Sequence, residues 1–122
     1  MDFSFETVLS TERNLLLLEK AKACGYEVQC IYVLTSDENI NIARVRARRA
    51  AGGHDVPEEK IRKRYHRALA LLPRLVEVCH KMLIYDNTDK PFLIFRKENE
   101  AMSLFTNKFW SLSDLRKLLN FE

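Results

Sequence analysis

Glycine and proline are scarce, with three of each in 122 residues. That excludes collagen-like and linker-like chains. Cysteine is equally sparse: Cys24, Cys30 and Cys79 are widely spaced, odd in number, and form no Cys-x-x-Cys pair. The pattern argues against a disulfide framework or a structural zinc site, so no metal ligands are expected. It predicts reduced, mostly buried thiols in a cytoplasmic protein. No apolar run approaches the roughly 18 residues that a membrane span needs. Met1-Asp2-Phe3-Ser4-Phe5-Glu6 has neither a basic n-region nor a long apolar stretch, so no signal peptide and no membrane partner are expected. The phosphate-loop pattern G-x-x-x-x-G-K-[ST] is absent as well, and no glycine-rich loop precedes a helix.

Apolar residues make up 47% and charged residues 30% of the chain, which is globular composition. The net charge of +3 is unevenly spread. Between Arg44 and Arg67 nine basic side chains face only Asp55, Glu58 and Glu59, so this window is +6 and the remainder is −3. A local excess of this size points to a polyanionic ligand, either a nucleotide phosphate or nucleic acid. The absence of interleaved exposed aromatics and of an RNA-binding signature disfavours nucleic acid.

Periodicity orders the elements. Residues 3–8 alternate as a strand. Ser10 or Thr11 caps a helix running to about Cys24, with Leu15, Leu18 and Ala21 inward, and Gly25 stops it in the left-handed conformation. Residues 28–34 form a nearly continuous apolar run, expected as a strand covered on both faces. Ser36 is expected to cap a second helix with Ile40, Ala43 and Ala47 on its apolar face, closed by Gly52-Gly53. Pro57 starts a third helix through Ile61, Tyr65, Ala68, Leu69 and Leu72, kinked or split at Pro73. Residues 81–85 are a third strand closed by the turn-forming Asp86-Asn87, and residues 92–95 a fourth. Ser113 is expected to cap a terminal helix with Leu115, Leu118 and Leu119. His54 reads as a turn residue, His66 and His80 as surface groups, and Trp110 with Phe105 and Phe109 as packing. The order β-α-β-α-α-β-β-α predicts one α/β domain over residues 1–122 with a mostly parallel sheet. Ligands of such sheets sit at the carboxyl ends of the strands, here Glu6-Thr7, Thr35-Ser36 and Asp86-Asn87.

Arg44 and Arg48 are four apart and share a helix face, and Arg62 and Arg64 follow beyond the glycine turn. A helical hairpin carrying arginines is what a phosphate-transferring enzyme needs for a lid, because guanidinium forks bind phosphate oxygens bidentately.

Phe3-Ser4-Phe5-Glu6-Thr7-Val8-Leu9-Ser10, Ala23-Cys24-Gly25-Tyr26-Glu27-Val28, Arg44 through Arg48, Gly52-Gly53-His54-Asp55-Val56-Pro57, Ile61-Arg62-Lys63-Arg64-Tyr65 and Tyr85-Asp86-Asn87 follow one another in this chain. In this order they resemble the zeta-toxin-like P-loop kinases, a family that includes predicted ABC- or AAA-type ATPases. The resemblance covers residues 2–88 and leaves 89–122 as a terminal strand and helix. It implies a nucleotide-kinase-like α/β fold and an ATP- and magnesium-dependent phosphotransferase. Its best-known members phosphorylate UDP-N-acetylamino sugars. By that resemblance Glu6 and Thr7 lie on the substrate side, with Glu6, Arg48 and Arg64 as catalytic residues. Arg44, Arg48, Arg62 and Arg64 belong to the phosphate-sensing lid, and Asp86 and Asn87 lie near the nucleotide.

Without a phosphate loop the chain reads as the C-terminal portion of such a kinase, inactive alone and lacking the family's first strand. Its expected partners are a nucleotide and a small-molecule substrate, with an antitoxin, a complementary N-terminal half or a second copy of the chain as further candidates. The strand at 3–8 is then expected to pair directly with that at 28–34 or to borrow a neighbour. The alternative reading is a basic nucleic-acid-binding or toxin–antitoxin interaction module.

Overall fold

The computed structural model describes residues 2–6, 12–52 and 57–121, with side chains from residue 15 onward. Thr7, the candidate caps Ser10 and Thr11, and residues 53–56 with His54 therefore lie outside the described residues. The element order is β1 (Asp2–Glu6), α1 (Glu12–Ala23), β2 (Glu27–Leu34), α2 (Glu38–Ala50), α3 (Glu58–Val78), β3 (Lys81–Asp86), β4 (Phe92–Glu98), β5 (Ala101–Leu104) and α4 (Leu112–Leu118). This is an α/β architecture around one five-stranded sheet whose spatial order follows the chain.

β1 pairs directly with β2 in parallel, from Asp2 opposite Glu27 to Glu6 opposite Ile31. The expected direct pairing of the first two strands is therefore present. β2 and β3 are also parallel, with Leu34 opposite Asp86. The sheet then turns antiparallel at β3–β4 and β4–β5, so it is mixed rather than mostly parallel. The physical reason is connection length. One helix separates β1 from β2 and two separate β2 from β3, whereas a short turn joins β3 to β4, and Asn99-Glu100 alone joins β4 to β5. Asn99 takes φ +55°, a left-handed conformation that asparagine tolerates. The pattern left β5 unassigned, and residues 89–122 hold two strands and a helix.

α1, α3 and α4 supply the helical half of one core, with Leu15, Leu18, Leu72, Leu75 and Leu115 fully buried against Val28, Met82, Ile84 and Phe95. Each such leucine contributes about 1.5–3 kcal/mol of burial. α1 ends in a Schellman motif: Tyr26 N–H bonds Ala21 O at 3.1 Å and Gly25 N–H bonds Lys22 O at 3.0 Å, with Gly25 at φ +89°. Cys30 and Cys79 are buried, and a hydrogen bond between them lowers the Cys30 thiol pKa and raises that of Cys79. Cys24, expected inside, is exposed.

Several local expectations are corrected. β2 alternates between buried Val28, Cys30, Tyr32 and Leu34 and an open side on which Ile31 and Val33 are 39% and 43% exposed. It is covered on one face only, because the core helices pack on a single side. α2 is capped by Asp37, whose carboxylate accepts from Asn39 N–H, while Ser36 N–H is engaged by Thr88 Oγ1. The buried residue of α2 is Ile42, and Ala43 and Ala47 are exposed, because contact with α3 sets the inner face. α3 runs unbroken through Pro73, with Pro57 as its N-cap. α4 is capped by Ser111 in a capping box with Asp114, leaving Ser113 inside the helix. His80 is half-buried: its Nδ1 accepts from Val28 N–H at 3.0 Å and its backbone N–H donates to Val28 O at 2.8 Å, extending the β2–β3 seam. No helix among the described residues is long and apolar enough to cross a membrane.

Candidate functional site

Parallel pairing brings the carboxyl ends of β1, β2 and β3 to one edge of the sheet. They are not level. Glu6 stands opposite Ile31, three residues before Leu34, so β1 ends roughly 10 Å short of β2 and β3 along the strand direction. Glu6 is thus set back from the Leu34–Asp86 rim.

A polar network occupies that rim. Asp86 is 1% exposed. Its Oδ1 accepts from Thr88 N–H at 3.2 Å and from the Thr88 hydroxyl at 2.5 Å, and its Oδ2 accepts from Asn107 Nδ2 at 3.1 Å. Asn107 Oδ1 in turn accepts from the N–H groups of Phe109 and Trp110 at 2.9 and 2.8 Å. Asp86 is therefore a buried anchor that ties the β5–α4 loop to the β3–β4 turn. Asn87 is half-buried, and its N–H donates to Leu34 O at 2.8 Å. Tyr65 donates its hydroxyl to Thr35 O at 2.8 Å and so pins α3 to the end of β2. Burial, with smaller contributions from Asp37, Glu38 and Asp86, pushes its pKa up to about 12.

The α2–α3 hairpin stands over this rim and sorts its arginines. Arg62 bridges back to Glu38 and, at 3.2 Å, to Asn39 Oδ1. His66 meets the other oxygen of Glu38. Arg46 pairs with Glu58, and Lys63 with Glu59. The Arg62, His66 and Arg46 contacts join α2 to α3 and brace the hairpin, whereas Lys63–Glu59 lies within α3. Arg44 points away from α3 and donates to the carbonyls of Asn87 and Thr88 at 2.6 and 3.2 Å, latching α2 onto the β3–β4 turn. Arg48, one turn further on, shares that outward face and is exposed. Arg64 is exposed too, and leaves α3 roughly 200° around the helix from Arg62. Neither Arg48 nor Arg64 makes a hydrogen bond or ion pair with a described residue.

The sequence signals named Thr35 as a strand end but missed Thr88 and Asn107. Thr88 and Asn107 contact partners across loops, so no local spacing marks them.

The donors present suit an anion. Three guanidinium groups of the α2–α3 hairpin, Arg48, Arg64 and Arg67, are exposed with no described partner and offer bidentate N–H forks to phosphate oxygens. They do not suit magnesium. Among the described residues no group of three or more His, Cys, Asp or Glu could hold a metal ion, and both oxygens of Asp86 are turned inward to protein donors. A nucleoside triphosphate would lack the backbone cradle and lysine that G-x-x-x-x-G-K-[ST] provides. No step is assigned to either group.

An uncharacterized protein of Haemophilus influenzae is 33% identical to this chain over 63 residues, which are 52% of this chain and 45% of that protein. The chain thus spans less than half the length of the curated relative it matches. No family model matches the chain, and no solved structure matches it.

Proposed function

We propose that this chain is the lid-and-substrate portion of a zeta-toxin-like phosphotransferase with a P-loop-kinase-like sheet, and that it binds a phosphorylated ligand without transferring the group on its own. The observation that carries the reading is the sorting of the hairpin arginines. Arg46 and Arg62 are held by carboxylates within the hairpin, whereas Arg48, Arg64 and Arg67, without a partner among the described residues, are left for an outside anion. Arg44 positions the hairpin by its latch on the β3–β4 turn. Phosphoryl transfer depends on positioning and charge neutralisation. This chain supplies the neutralising charge and part of the positioning, so turnover waits on a phosphate cradle from elsewhere.

The test is equilibrium binding of ATP, of UDP-N-acetylglucosamine and of a single-stranded oligonucleotide at two salt concentrations. One of the two nucleotides binds, and Arg48→Ala and Arg64→Ala each weaken it about tenfold, as expected for a charge-assisted hydrogen bond. The thermal midpoint stays unchanged in both variants, and ATP is not hydrolysed. Tight, salt-dependent binding of the oligonucleotide with no nucleotide bound would replace this reading by a nucleic-acid module. Magnesium-dependent turnover by the pure chain, abolished by Arg48→Ala, would refute the assignment of inactivity.

A further inference from the structure

β5 closes the sheet on the side away from β1, and among the described residues no strand lies beyond it. Natural edges are usually blunted by lysine, proline, a bulge or a covering loop. β5 is Ala101-Met102-Ser103-Leu104 and has none of these blunting residues. Met102 is 48% exposed and the following Phe105 is 39% exposed.

The ladder to β4 fixes which backbone groups are open. Phe105 N–H donates to Ile94 O at 2.9 Å, so Phe105 is bonded inward. Bonding alternates along an antiparallel pair, so Ala101 and Ser103 also turn their N–H and C=O groups toward β4. Met102 and Leu104 turn theirs outward, to nothing described in this chain.

The geometry points to a second copy of this chain as the occupant of that edge, paired antiparallel through β5 about a two-fold axis at Ser103. In this register Met102 faces Leu104 of the second copy, and Ala101 faces its Phe105. The outward N–H and C=O groups of Met102 and Leu104 then bond reciprocally, and the two five-stranded sheets become one. Charge selects β5 over β1. Centring β1 on itself at Ser4 would set Asp2 against Glu6 at both ends, a like-charge pairing that destabilises a ladder. The β5 pairing opposes no charge to a charge. Its contact is short, well under a standard interface, so the dimer is concentration-dependent rather than obligate.

The decisive variant is Met102→Pro. It removes an N–H that points away from β4, and so leaves the internal ladder intact. The experiment is sedimentation velocity of the full chain from about 5 to about 500 µM, with amide exchange of Met102 and Leu104 at both ends of the range. The parent shifts toward dimer as concentration rises, and both amides slow with it. Met102→Pro raises the dissociation constant at least about tenfold while keeping the parental circular dichroism. Should that variant fold poorly, Met102→Lys serves instead, because it brings a cation onto the edge without touching the backbone, and it too weakens the dimer. Leu112→Lys, at another exposed apolar site, leaves the dimer unchanged. A monomer across the whole range would overturn the proposal, as would a dimer indifferent to both Met102 variants.

Discussion

Replacing Asp86 by asparagine changes one atom's role and little else, and the surrounding bonds predict its cost. One carboxylate oxygen serves Thr88 and the other serves Asn107. An asparagine must turn its NH2 toward one of them, placing donor against donor at a site only 1% exposed. Asn107 cannot answer by rotating its amide, because its oxygen is held by the N–H groups of Phe109 and Trp110. A buried donor left without an acceptor costs about 1–3 kcal/mol, and the lost acceptor was charged, so about 2–3 kcal/mol is expected for Asp86→Asn at neutral pH. Asn107→Asp alone sets two carboxylates against each other and is also destabilising. Combining the two substitutions restores the pattern with the charge moved across. The new amide on β3 would donate to the new carboxylate in the β5–α4 loop, whose other oxygen would still accept from the two backbone N–H groups. Urea unfolding of the four proteins completes a double-mutant cycle, and a coupling of about 2 kcal/mol in favour of the swap is expected. Additive effects, or an Asp86→Asn cost within about 0.5 kcal/mol, would show that the carboxylate is not the anchor described here.

Two further outcomes are set by titration. Tyr65 ionises at about 12 in the folded chain, so its hold on Thr35 O is complete below the ordinary tyrosine value near 10 and is lost as pH rises toward 12. Burial raises the Tyr32 hydroxyl further still, so ultraviolet titration should show more than one late phenolate, of which Tyr65→Phe removes the earlier, and ionisation of every tyrosine near pH 10 would contradict it. Asp114 is held below the usual carboxylate range, first by the backbone N–H of Ser111 and then by its hydroxyl. Its contribution to α4 is therefore present above about pH 4 and lost as pH falls through the lowered value. Asp114→Asn should flatten the acid limb of α4 unfolding followed by amide exchange at Ser111, and an unchanged limb would count against the capping box.

Signals confined to one turn or one helix were legible in the sequence. Gly25 ends α1 in the left-handed conformation, and Ile61, Ala68 and Leu72 mark the buried stripe of α3. The helical hairpin also followed from pattern, and the direct pairing of β1 with β2 is one of the two arrangements the sequence left open. What failed depended on partners distant in the chain. The apolar run of β2 reads the same whether one face or two are covered, and only the placement of the helices decides. Ser36 and Asp37 are both good caps, and Thr88, some fifty residues later, claims Ser36. The arginine window was visible as charge, but its division into braces, a latch and groups left open required the positions of Glu38, Glu58 and the β3–β4 turn. Asp86 looked like a ligand contact because turn residues at strand ends often are. Its bond to Asn107, across twenty-one residues, leaves no trace in local spacing.

The hairpin has a thermodynamic life of its own. α2 packs chiefly on α3, and its buried residue, Ile42, lies with Ile61 outside the main core cluster. Two isoleucines account for about 3–6 kcal/mol of burial, part of it offset by ordering the arm. Detaching α2 thus requires breaking the Arg44 latch and the Arg46–Glu58, Arg62–Glu38 and His66–Glu38 contacts with α3 and exposing a small apolar patch, without disturbing the leucines beneath the sheet. The arm therefore opens as a separate cooperative unit, at a free energy below that of global unfolding. Its amides exchange and its peptide bonds meet proteases in a population of molecules whose sheet is intact. Any anion that binds the closed arm more tightly than the open one drains that population by mass action and lengthens the lifetime of the arm.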